Sequence, residues 1–297
     1  MLSPRILIFG HGYVGSTLAH DLDVLGFPVA AVNRASADNL PYPVIAGDVS
    51  SGESVRSLPA LLPYPRPDVI VHCASSSRGG PEAYRAVFID GLTHLKETFP
   101  GVPVVFTSSS SVYGQTDGSV VDERSEASPD RETSRLLCEA EEIARAGGGI
   151  ALRLAGIYGP GRSVHLKKLF EGTATIDEGE ISRYLNQIHR DDAVGAIVHL
   201  IAAGVEPHRG CLFNVVDDAP LTQRQCYEAL AALFGLPVPP DAPPVLDRKR
   251  AWTNKIISNV ALKATGWRPR YPSFLDAVKN DALFVPSIRE QIVSEED

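Results

Sequence analysis

Three closely spaced glycines near the start of the chain form the motif best suited to chemistry. RILIFGHGYVG places Gly10, Gly12 and Gly15 after an apolar run typical of a strand and before a helical pattern. In that setting the glycines permit a tight turn, close approach of a pyrophosphate and close helix–strand packing. The helix N-terminus, with unpaired N–H groups and partial positive charge, favours phosphate. We predict a dinucleotide site that includes Tyr13 and Val14; the alternative is a structural turn that binds nothing.

The end of the second predicted strand indicates which dinucleotide binds. A carboxylate there would hydrogen-bond the adenosine ribose and repel a 2′-phosphate. The chain has Asn33 followed by Arg34, and a guanidinium suits a phosphate. NADP(H) is therefore favoured as the cofactor, while NAD(H) stays open because an arginine at a strand end is also typical of a solvated surface.

Further cofactor contacts are expected where the next two strands end. Asp48 closes the third strand and is placed to accept a hydrogen bond from the adenine amino group, although it could equally cap the segment that follows. The other predicted cofactor contacts are Val49 beside it and, after the fourth strand, Cys73, Ala74 and Ser75.

Short apolar runs alternate with helical patterns through the first half of the chain, as in a parallel sheet covered by helices. Strands are predicted at 5–10, 29–33, 42–48, 68–75, 102–109 and 150–156. Helices are predicted at 14–26, 82–99, 132–146, 191–204 and 222–235. The predicted fold class is α/β, a doubly wound parallel sheet, with the looser pattern after residue 156 assigned to a smaller C-terminal lobe.

The loosening of this pattern after residue 156 suggests the domain boundaries. A dinucleotide-binding Rossmann-like domain is predicted over 1–156 and 189–218. The substrate-binding lobe is predicted over 157–188 and 219–285. The acidic tail, 286–297, is expected to fray.

Composition excludes several classes of protein. A net charge of −8 disfavours nucleic-acid binding, which needs clustered Lys and Arg. No apolar run reaches the ~18 residues that span a bilayer, and the N-terminus has no cleavable signal pattern. The cysteines, scattered without metal-ligand spacing, are expected to be reduced thiols in a cytoplasmic protein; they are Cys73, Cys138, Cys211 and Cys226.

Seven ordered motifs resemble the extended short-chain dehydrogenases/reductases, the NAD-dependent epimerase/dehydratases. In chain order they are GHGYVG, AGDVS, TSSSSVYG, LRLAGIYGPGR, NQIHRDDAVGAI, FNVVDD and ISNVALKATGWRPRYPS, between residues 5 and 285. The resemblance implies a Rossmann-like domain that holds the cofactor and a smaller domain that closes over a small-molecule substrate, in many members a nucleotide sugar. It also implies hydride transfer at the nicotinamide and, in many members, a homodimer formed through a helical bundle.

The family's catalytic serine or threonine carries over to the serine-rich turn. In the family a Tyr moves the substrate proton, a Lys lowers the pKa of that Tyr, and a Ser or Thr hydrogen-bonds the same oxygen. The Ser position falls on Ser109, with Ser110 and Ser111 on the same turn and Tyr113 four residues later. The alternative is a serine-rich loop that bonds its own backbone.

The Tyr–Lys pair itself is absent, which makes the chain an atypical member. Counting from neighbouring positions puts the Lys at Arg135 and the Tyr at Arg131 or Thr133. A guanidinium does not release its proton, and threonine is too weak an acid. We expect Arg135 to contact the cofactor or the substrate, and Arg131 to lie on a solvated face. As a hypothesis, Tyr113 takes over as the acid beside Ser109, although a phenol at this family position normally lines the pocket.

The substrate side departs from the family as well. Gly156 stands where many members have a phosphate-binding Asn, and Leu185 stands where many have an Arg. Several cations remain that could hold a phosphate, and each is equally typical of a solvated loop. The predicted substrate contacts are Ser110, Ser111, Arg162, Arg183 and Lys255.

Two classes of function therefore stay open. The favoured class is an NAD(P)-binding oxidoreductase or nucleotide-sugar-type epimerase/dehydratase that acts on a polar small molecule, with or without a phosphate. The alternative is a catalytically silent NAD(P)-binding sensor that keeps the glycine motif, has lost the proton pair and binds a protein partner.

Overall fold

The computed structural model describes residues 3–77, 79–179, 182–244 and 253–296. These residues form two compact units. Unit 1 comprises the chain up to Val112, Pro129–Arg153 and Val194–Phe213. Unit 2 comprises Tyr113–Ser128, Leu154–Ala193 and the chain from Asn214 onward. The assignment of cofactor binding to one lobe and substrate binding to the other stays a prediction.

Fifteen strands are found in the described residues, seven of which form the main sheet. In chain order they are β1 (Ile6–Phe9), β2 (Val29–Asn33), β3 (Val44–Ala46), β4 (Val69–His72), β5 (Val104–Ser109), β6 (Val120–Val121), β7 (Ile150–Leu154), β8 (Gly156–Tyr158), β9 (Ile176–Asp177), β10 (Tyr184–Leu185), β11 (Gln187–His189), β12 (Leu212–Val215), β13 (Leu221–Thr222), β14 (Asp241–Ala242) and β15 (Ile256–Ile257).

The main sheet has the strand order β12-β7-β5-β4-β1-β2-β3. β1 pairs in parallel with both β2 and β4, so the chain crosses over in opposite directions on its two sides. All four residues of β1 are buried, because helices cover both faces of the sheet. The predicted doubly wound, Rossmann-like fold is confirmed. Its strands β1, β2, β4 and β5 end at one edge, where sheets of this kind bind ligands.

Among the described residues, helices are found in each of the five segments predicted as helical, and five further helices lie outside those segments. In chain order the helices are α1 (Gly15–Val24), α2 (Gly52–Ser57), α3 (Pro81–Tyr84), α4 (Gly91–Thr98), α5 (Glu132–Ala146), α6 (Val164–Phe170), α7 (Arg190–Ala202), α8 (Gln223–Phe234), α9 (Val260–Ala264), α10 (Phe274–Asn280) and α11 (Phe284–Glu296). None of the helices in the described ranges is long and apolar enough to cross a membrane.

A π-helical segment, Arg85–Asp90, joins α3 to α4 within the helix predicted at 82–99. His72, fully buried at the end of β4, lies with Nε2 2.9 Å from the Val87 carbonyl oxygen of this segment. A side-chain donor to a helix carbonyl is one cause of a local change in helical register. This contact ties the helix to the strand that precedes Cys73.

Unit 2 has its own apolar core, and the C-terminal helix is part of it. Phe284 and Ile288 of α11 are fully buried in this core. Ser287 Oγ accepts a hydrogen bond of 2.7 Å from the Gly161 amide, and Glu295 pairs with Lys167 at 2.5 Å. The prediction that the acidic tail frays is therefore wrong for its described residues, because apolar residues at helical spacing anchor it.

Candidate functional site

The glycine turn lies directly after β1 and has a backbone that requires glycine at two positions. Gly10 has φ +97°, and a Cβ there would lie 2.6 Å from the backbone of Ala74. A Cβ at Gly15 would lie only 1.7 Å from the Gly10 carbonyl oxygen. Both positions are thus fixed by packing within the turn, irrespective of any ligand.

Gly12 differs from its two neighbours because an added Cβ would meet no atom within 4 Å. Packing gives no reason for glycine there, whereas an incoming ligand does. The turn leads into α1, whose N-cap residue Val14 makes no side-chain capping bond, and whose first turn carries no acidic residue. Amides that no side chain caps, beside open space, fit a pyrophosphate. The residues present therefore fit a dinucleotide at this turn.

His11 and Tyr42 flank the turn and were missed by the sequence reasoning. His11 Nε2 lies 3.2 Å from the Tyr42 hydroxyl, and that hydroxyl donates a hydrogen bond of 3.4 Å to the Ser16 carbonyl in α1. Burial lowers the pKa of His11. Tyr42 lies in the chain before β3, so no local sequence pattern linked it to the glycine motif.

Arg34 follows β2 and is exposed, with Nη2 donating a hydrogen bond of 3.0 Å to Ser77 Oγ. Ser77 has φ +52°, an uncommon value for a residue other than glycine. Its amide is held by Ser75 Oγ at 3.1 Å. Among the residues that the structure describes, Arg34 has no carboxylate partner. Asn33 Nδ2 bonds the Ala35 carbonyl at 3.4 Å and leaves the strand end without a negative charge.

Asp48 caps the turn after β3. Its Oδ1 accepts hydrogen bonds from the Ser50 amide at 2.9 Å and from Ser50 Oγ at 2.7 Å. This geometry matches the capping alternative, and an adenine contact would have to use the other carboxylate oxygen. The Val49 side chain is buried, while its carbonyl lies 3.1 Å from His94 Nδ1. Any contact between Val49 and a cofactor would therefore involve the Val49 backbone and not its side chain.

Cys73 lies beneath the glycine turn, with Sγ 3.4 Å from the Gly10 carbonyl oxygen. Burial raises the pKa of this thiol to about 12, so it is a packing group rather than a reactive thiolate. Ala74 supplies the backbone that approaches Gly10, and Ser75 holds the next turn. These three residues shape the turn, which is consistent with the position predicted for them.

The serine-rich turn begins where β5 ends. Ser109 Oγ accepts a hydrogen bond of 3.2 Å from the Ser111 amide. Ser111 Oγ in turn lies 3.5 Å from Ser134 Oγ of α5, a residue that the sequence reasoning missed. The turn partly bonds its own backbone, as the alternative interpretation predicted, and it gathers hydroxyls from two elements of unit 1, with Ser110 between them in the chain.

A buried ion pair fixes α5 against the strands that carry this turn. Arg153 Nη2 on β7 lies 2.7 Å from Glu141 Oε2 on α5, and their side chains are 6% and 2% exposed. Ser108 Oγ donates to Glu141 Oε1 at 2.6 Å. Breaking such a pair leaves an uncompensated buried charge, which is strongly destabilising. The residue before Ser109 is thus bonded directly to an anchored carboxylate.

Arg135 lies on the exposed side of α5, and its Nη2 donates to the Asp130 carbonyl at 3.2 Å. The buried face of the helix has Ser134, Leu137 and Glu141 instead. The predicted cofactor contact of Arg135 is not supported, because the rotation of the helix directs it outward. Counting from Glu139 misplaced the register: Glu139 is exposed, whereas Glu141 is the inward carboxylate.

Tyr113 is completely buried. Its hydroxyl lies 2.8 Å from the Asp122 carbonyl oxygen and 3.0 Å from Asn214 Oδ1, both acceptors in unit 2. The single phenolic proton is therefore committed to internal acceptors. The hypothesis that Tyr113 replaces the missing catalytic tyrosine is wrong for this geometry, because the hydroxyl is neither exposed nor free to donate to a substrate.

The three predicted substrate cations of unit 2 have three different environments. Arg162 is exposed, and its amide and carbonyl pair with those of Gly159. Arg183 Nε forms an ion pair of 2.9 Å with Asp177 Oδ2. Lys255 is buried. A loop cation, a paired cation and a buried cation are not equivalent as ligand contacts, and their roles stay predictions.

Tyr158 and His189 brace the core of unit 2. His189 Nδ1 accepts a hydrogen bond of 3.2 Å from the Asp191 amide, so its proton lies on Nε2, 3.1 Å from Asp281 Oδ2. Burial lowers the pKa of His189, which favours this neutral form. Tyr158 packs edge-on against Phe274 with ring centroids 4.8 Å apart.

A glycine turn with an open position, at the carboxyl edge of a doubly wound sheet, is typical of dinucleotide-binding proteins. Residues 6–215 match the NAD dependent epimerase/dehydratase family, and the chain belongs to this family.

Individual relatives agree with this assignment. Protein YeeZ of Escherichia coli strain K12 is 30% identical over 250 residues, which cover 79% of this chain and 85% of that protein. A functionally unknown conserved protein from Silicibacter pomeroyi is 26% identical with a TM-score of 0.71, covering 95% of this chain and all of that one. UDP-glucose 4-epimerase from Thermotoga maritima, solved with UDP-glucose, is similar in fold, with 20% identity, a TM-score of 0.77 and coverage of 97% and 99%.

Proposed function

We propose that this protein is an NADP(H)-preferring oxidoreductase or epimerase/dehydratase that acts on a phosphorylated small molecule of the nucleotide-sugar type. The observation that carries the proposal is the glycine turn, where Gly12 has open space that packing does not explain. When bound there, the nicotinamide cofactor supplies a hydride acceptor or donor. The family membership and the UDP-glucose bound by the Thermotoga maritima enzyme support the substrate class.

The preference for NADP(H) rests on the end of β2. Arg34 is exposed and is held by a neutral hydroxyl rather than by a carboxylate in the described residues. Its remaining N–H groups are able to bond a 2′-phosphate in charge-assisted fashion. NAD(H), lacking that phosphate, would leave the guanidinium to solvent. Gly10, Gly12, Gly15, Tyr13 and Val14 would hold the pyrophosphate in either case.

Ser109 is the hydroxyl proposed to bond the reacting substrate oxygen. It is the last residue of β5, and the residue before it, Ser108, donates a hydrogen bond to the buried Glu141. A positioned donor beside a developing alkoxide lowers the barrier without needing to ionise. A hydride transfer that needs only such a hydroxyl, with water as the final proton source, fits a site from which the tyrosine and lysine are absent.

The test is titration with NADP⁺ and NAD⁺, followed by a screen of nucleotide sugars with deuterated cofactor and substrate. We expect tighter binding of NADP⁺ and transfer of deuterium between carbon atoms of a sugar or to the nicotinamide. A cofactor that does not bind would end the proposal. Ser109→Ala should retain cofactor affinity and lose turnover by about 10²-fold or more, the low end for a positioned catalytic donor.

A second candidate is the catalytically silent sensor, which the enclosed Tyr113 and the outward Arg135 favour. In that case the cofactor binds with the same preference, and no deuterium moves with any nucleotide sugar. Reduced cofactor that binds without transferring hydride, together with a Ser109→Ala variant of unchanged properties, would favour the sensor over the enzyme. A homodimer is proposed for either candidate from the family resemblance, and its mass in solution tests this.

A further inference from the structure

Lys255 is a buried amine in unit 2. The residue is 5% exposed. Its Nζ donates hydrogen bonds to the Tyr113 carbonyl at 2.8 Å and to Thr253 Oγ1 at 3.0 Å. Both acceptors are uncharged. A protonated lysine has three N–H donors, and only these two bonds are found for it among the described residues.

The neighbouring backbone fixes Lys255 in this position. The Asn254 amide bonds the Gln115 carbonyl at 3.0 Å, and the Ile256 amide bonds the Ser119 carbonyl at 2.9 Å. On the other side, Asn186 Nδ2 donates to the Lys255 carbonyl at 2.9 Å. The residue is therefore held between two segments of unit 2, and its side chain is not a mobile surface group.

The nearby charged groups of unit 2 are engaged elsewhere. In the segment that supplies Tyr113, Asp117 and Asp122 accept hydrogen bonds from backbone amides of their own turns. Glu123 accepts the Asn214 amide at 2.6 Å. Arg183, three residues before Asn186 in the chain, pairs with Asp177. Within the described part of the chain, Lys255 forms no ion pair.

A buried ammonium without a counter-charge is unfavourable, since water is replaced by too few acceptors. Burial accordingly lowers the pKa of Lys255 to about 8. The amine then has two ways to relieve the cost: it can release its proton, or it can gain an anionic partner. A ligand that supplies the anion favours the protonated form and so becomes linked to proton uptake.

We propose that Lys255 is the centre of an anion-binding site in unit 2, where a phosphate group of the substrate accepts the third N–H and the amine takes up a proton as the phosphate binds. This deepens the proposed function, on which it rests for the statement that the phosphate belongs to the substrate. It does not depend on cofactor binding. The shared chemistry is an anionic oxygen, and the experiment separates phosphate from carboxylate.

The first measurement follows Nζ of Lys255 in the wild-type protein by heteronuclear NMR with ¹⁵N-labelled lysine. We expect a titration midpoint near pH 8 without ligand and a shift to higher pH with saturating inorganic phosphate. Acetate at the same ionic strength should shift it far less. A midpoint at the ordinary lysine value of about 10.4, or one unmoved by phosphate, overturns the proposal. An equal shift with acetate overturns the choice of phosphate.

Calorimetry with inorganic phosphate provides the second measurement. At pH 8.5, in two buffers of different ionisation enthalpy, wild-type protein should take up about three-quarters of a proton per phosphate bound at this site, because an amine with a pKa of about 8 is about three-quarters deprotonated there. Lys255→Arg should bind phosphate without proton uptake, because a guanidinium stays protonated. Lys255→Met should lose that binding. Proton uptake that persists in Lys255→Arg would refute the assignment, whether or not Lys255→Met folds.

The two proposals fail separately. Loss of NADP⁺ and NAD⁺ binding with a phosphate-sensitive Lys255 would remove the proposed function and leave the anion site. Normal cofactor binding and hydride transfer with a phosphate-insensitive Lys255 would do the reverse. Lys168, an exposed lysine of the same unit, provides a second lysine signal against which the effect of phosphate on Lys255 is compared.

Discussion

Gly12→Ala isolates the ligand-binding role of the glycine turn from its structural role. An added Cβ at Gly12 meets no atom within 4 Å, and the backbone there is not in the left-handed region. The substitution should therefore leave the fold intact. Gly15→Ala is the matched opposite, since its Cβ would lie 1.7 Å from the Gly10 carbonyl oxygen. The two variants add the same methyl group three residues apart.

Gly12→Ala should weaken cofactor binding, whereas Gly15→Ala should lower the stability of the fold. At Gly12 the unfolded chain loses freedom without native strain, which changes the free energy of unfolding by zero to about +1 kcal/mol. The methyl group stands where the pyrophosphate would approach. Losing one charge-assisted hydrogen bond costs about 1.5–3 kcal/mol, or roughly 10- to 150-fold in affinity. At Gly15 the clash with backbone should lower stability by about 2 kcal/mol or more.

Two assays decide the matter: thermal unfolding for each variant, and titration with NADP⁺ followed by calorimetry. Gly80→Ala is the stability control, because Gly80 is also open to an added Cβ within 4 Å. We expect Gly12→Ala to melt like the control and to bind NADP⁺ at least 10-fold more weakly than wild type. A Gly12→Ala variant with wild-type affinity would show that the open space is not the pyrophosphate site, and the proposed function would lose its main support.

Four further outcomes follow from the geometry. In calorimetry, Arg34→Ala should weaken NADP⁺ binding by about 1–2 kcal/mol and leave the affinity for NAD⁺ unchanged. Equal losses of affinity for both cofactors would show that Arg34 does not bind the 2′-phosphate. Glu141→Leu and Arg153→Met should each lower the free energy of unfolding in urea by about 3–5 kcal/mol, and the double variant should lose clearly less than the sum of the two. Strictly additive losses would show that the two residues are not coupled. Burial raises the pKa of Asp217 well above its usual value, so above about pH 4 the folded protein binds a proton that the unfolded chain has released. The free energy of unfolding should therefore fall by up to about 1.4 kcal/mol per pH unit as pH rises. Asp217→Asn should lose that slope in denaturation curves between pH 5 and 8. Tyr113→Phe should lower the free energy of unfolding by about 1–3 kcal/mol and leave cofactor affinity and turnover unchanged. A large loss of turnover in a stably folded variant would instead show that Tyr113 is the catalytic acid.

The parts of the fold around the candidate site that could be predicted from the sequence depend on local backbone geometry. The glycine motif was assigned from spacing alone, because a turn with φ +97° at Gly10 and the helix start at Gly15 involve adjacent residues. The parallel order of the strands followed from alternating apolar runs and helical periodicity. The position of Ser109 at the end of β5 followed in the same way.

Side-chain direction could not be predicted with the same certainty. Helix α5 carries both Arg135 and Glu141, and the sequence placed the first near the cofactor and did not consider the second. Only the packing of the helix on the sheet showed that Arg135 points outward and that Glu141 meets Arg153 at 2.7 Å. Consecutive residues on a helix are about 100° apart, so an error of one or two positions in the counting moves a side chain between the buried and exposed faces, and the apolar pattern does not fix the rotation that finely.

Protonation states were decided entirely by tertiary structure. Tyr113 and Lys255 are 142 positions apart in the chain, yet the lysine ammonium bonds the tyrosine carbonyl at 2.8 Å and both are buried. From the sequence, one was a hypothetical acid and the other a loop cation. The amino-acid types determined by themselves that a glycine turn would form between β1 and α1, since steric limits on the backbone act over a few residues. The tertiary structure decided which titratable groups are removed from water, because desolvation depends on everything packed around a group. Segments distant in the chain therefore set which side chains keep their protons and which release them.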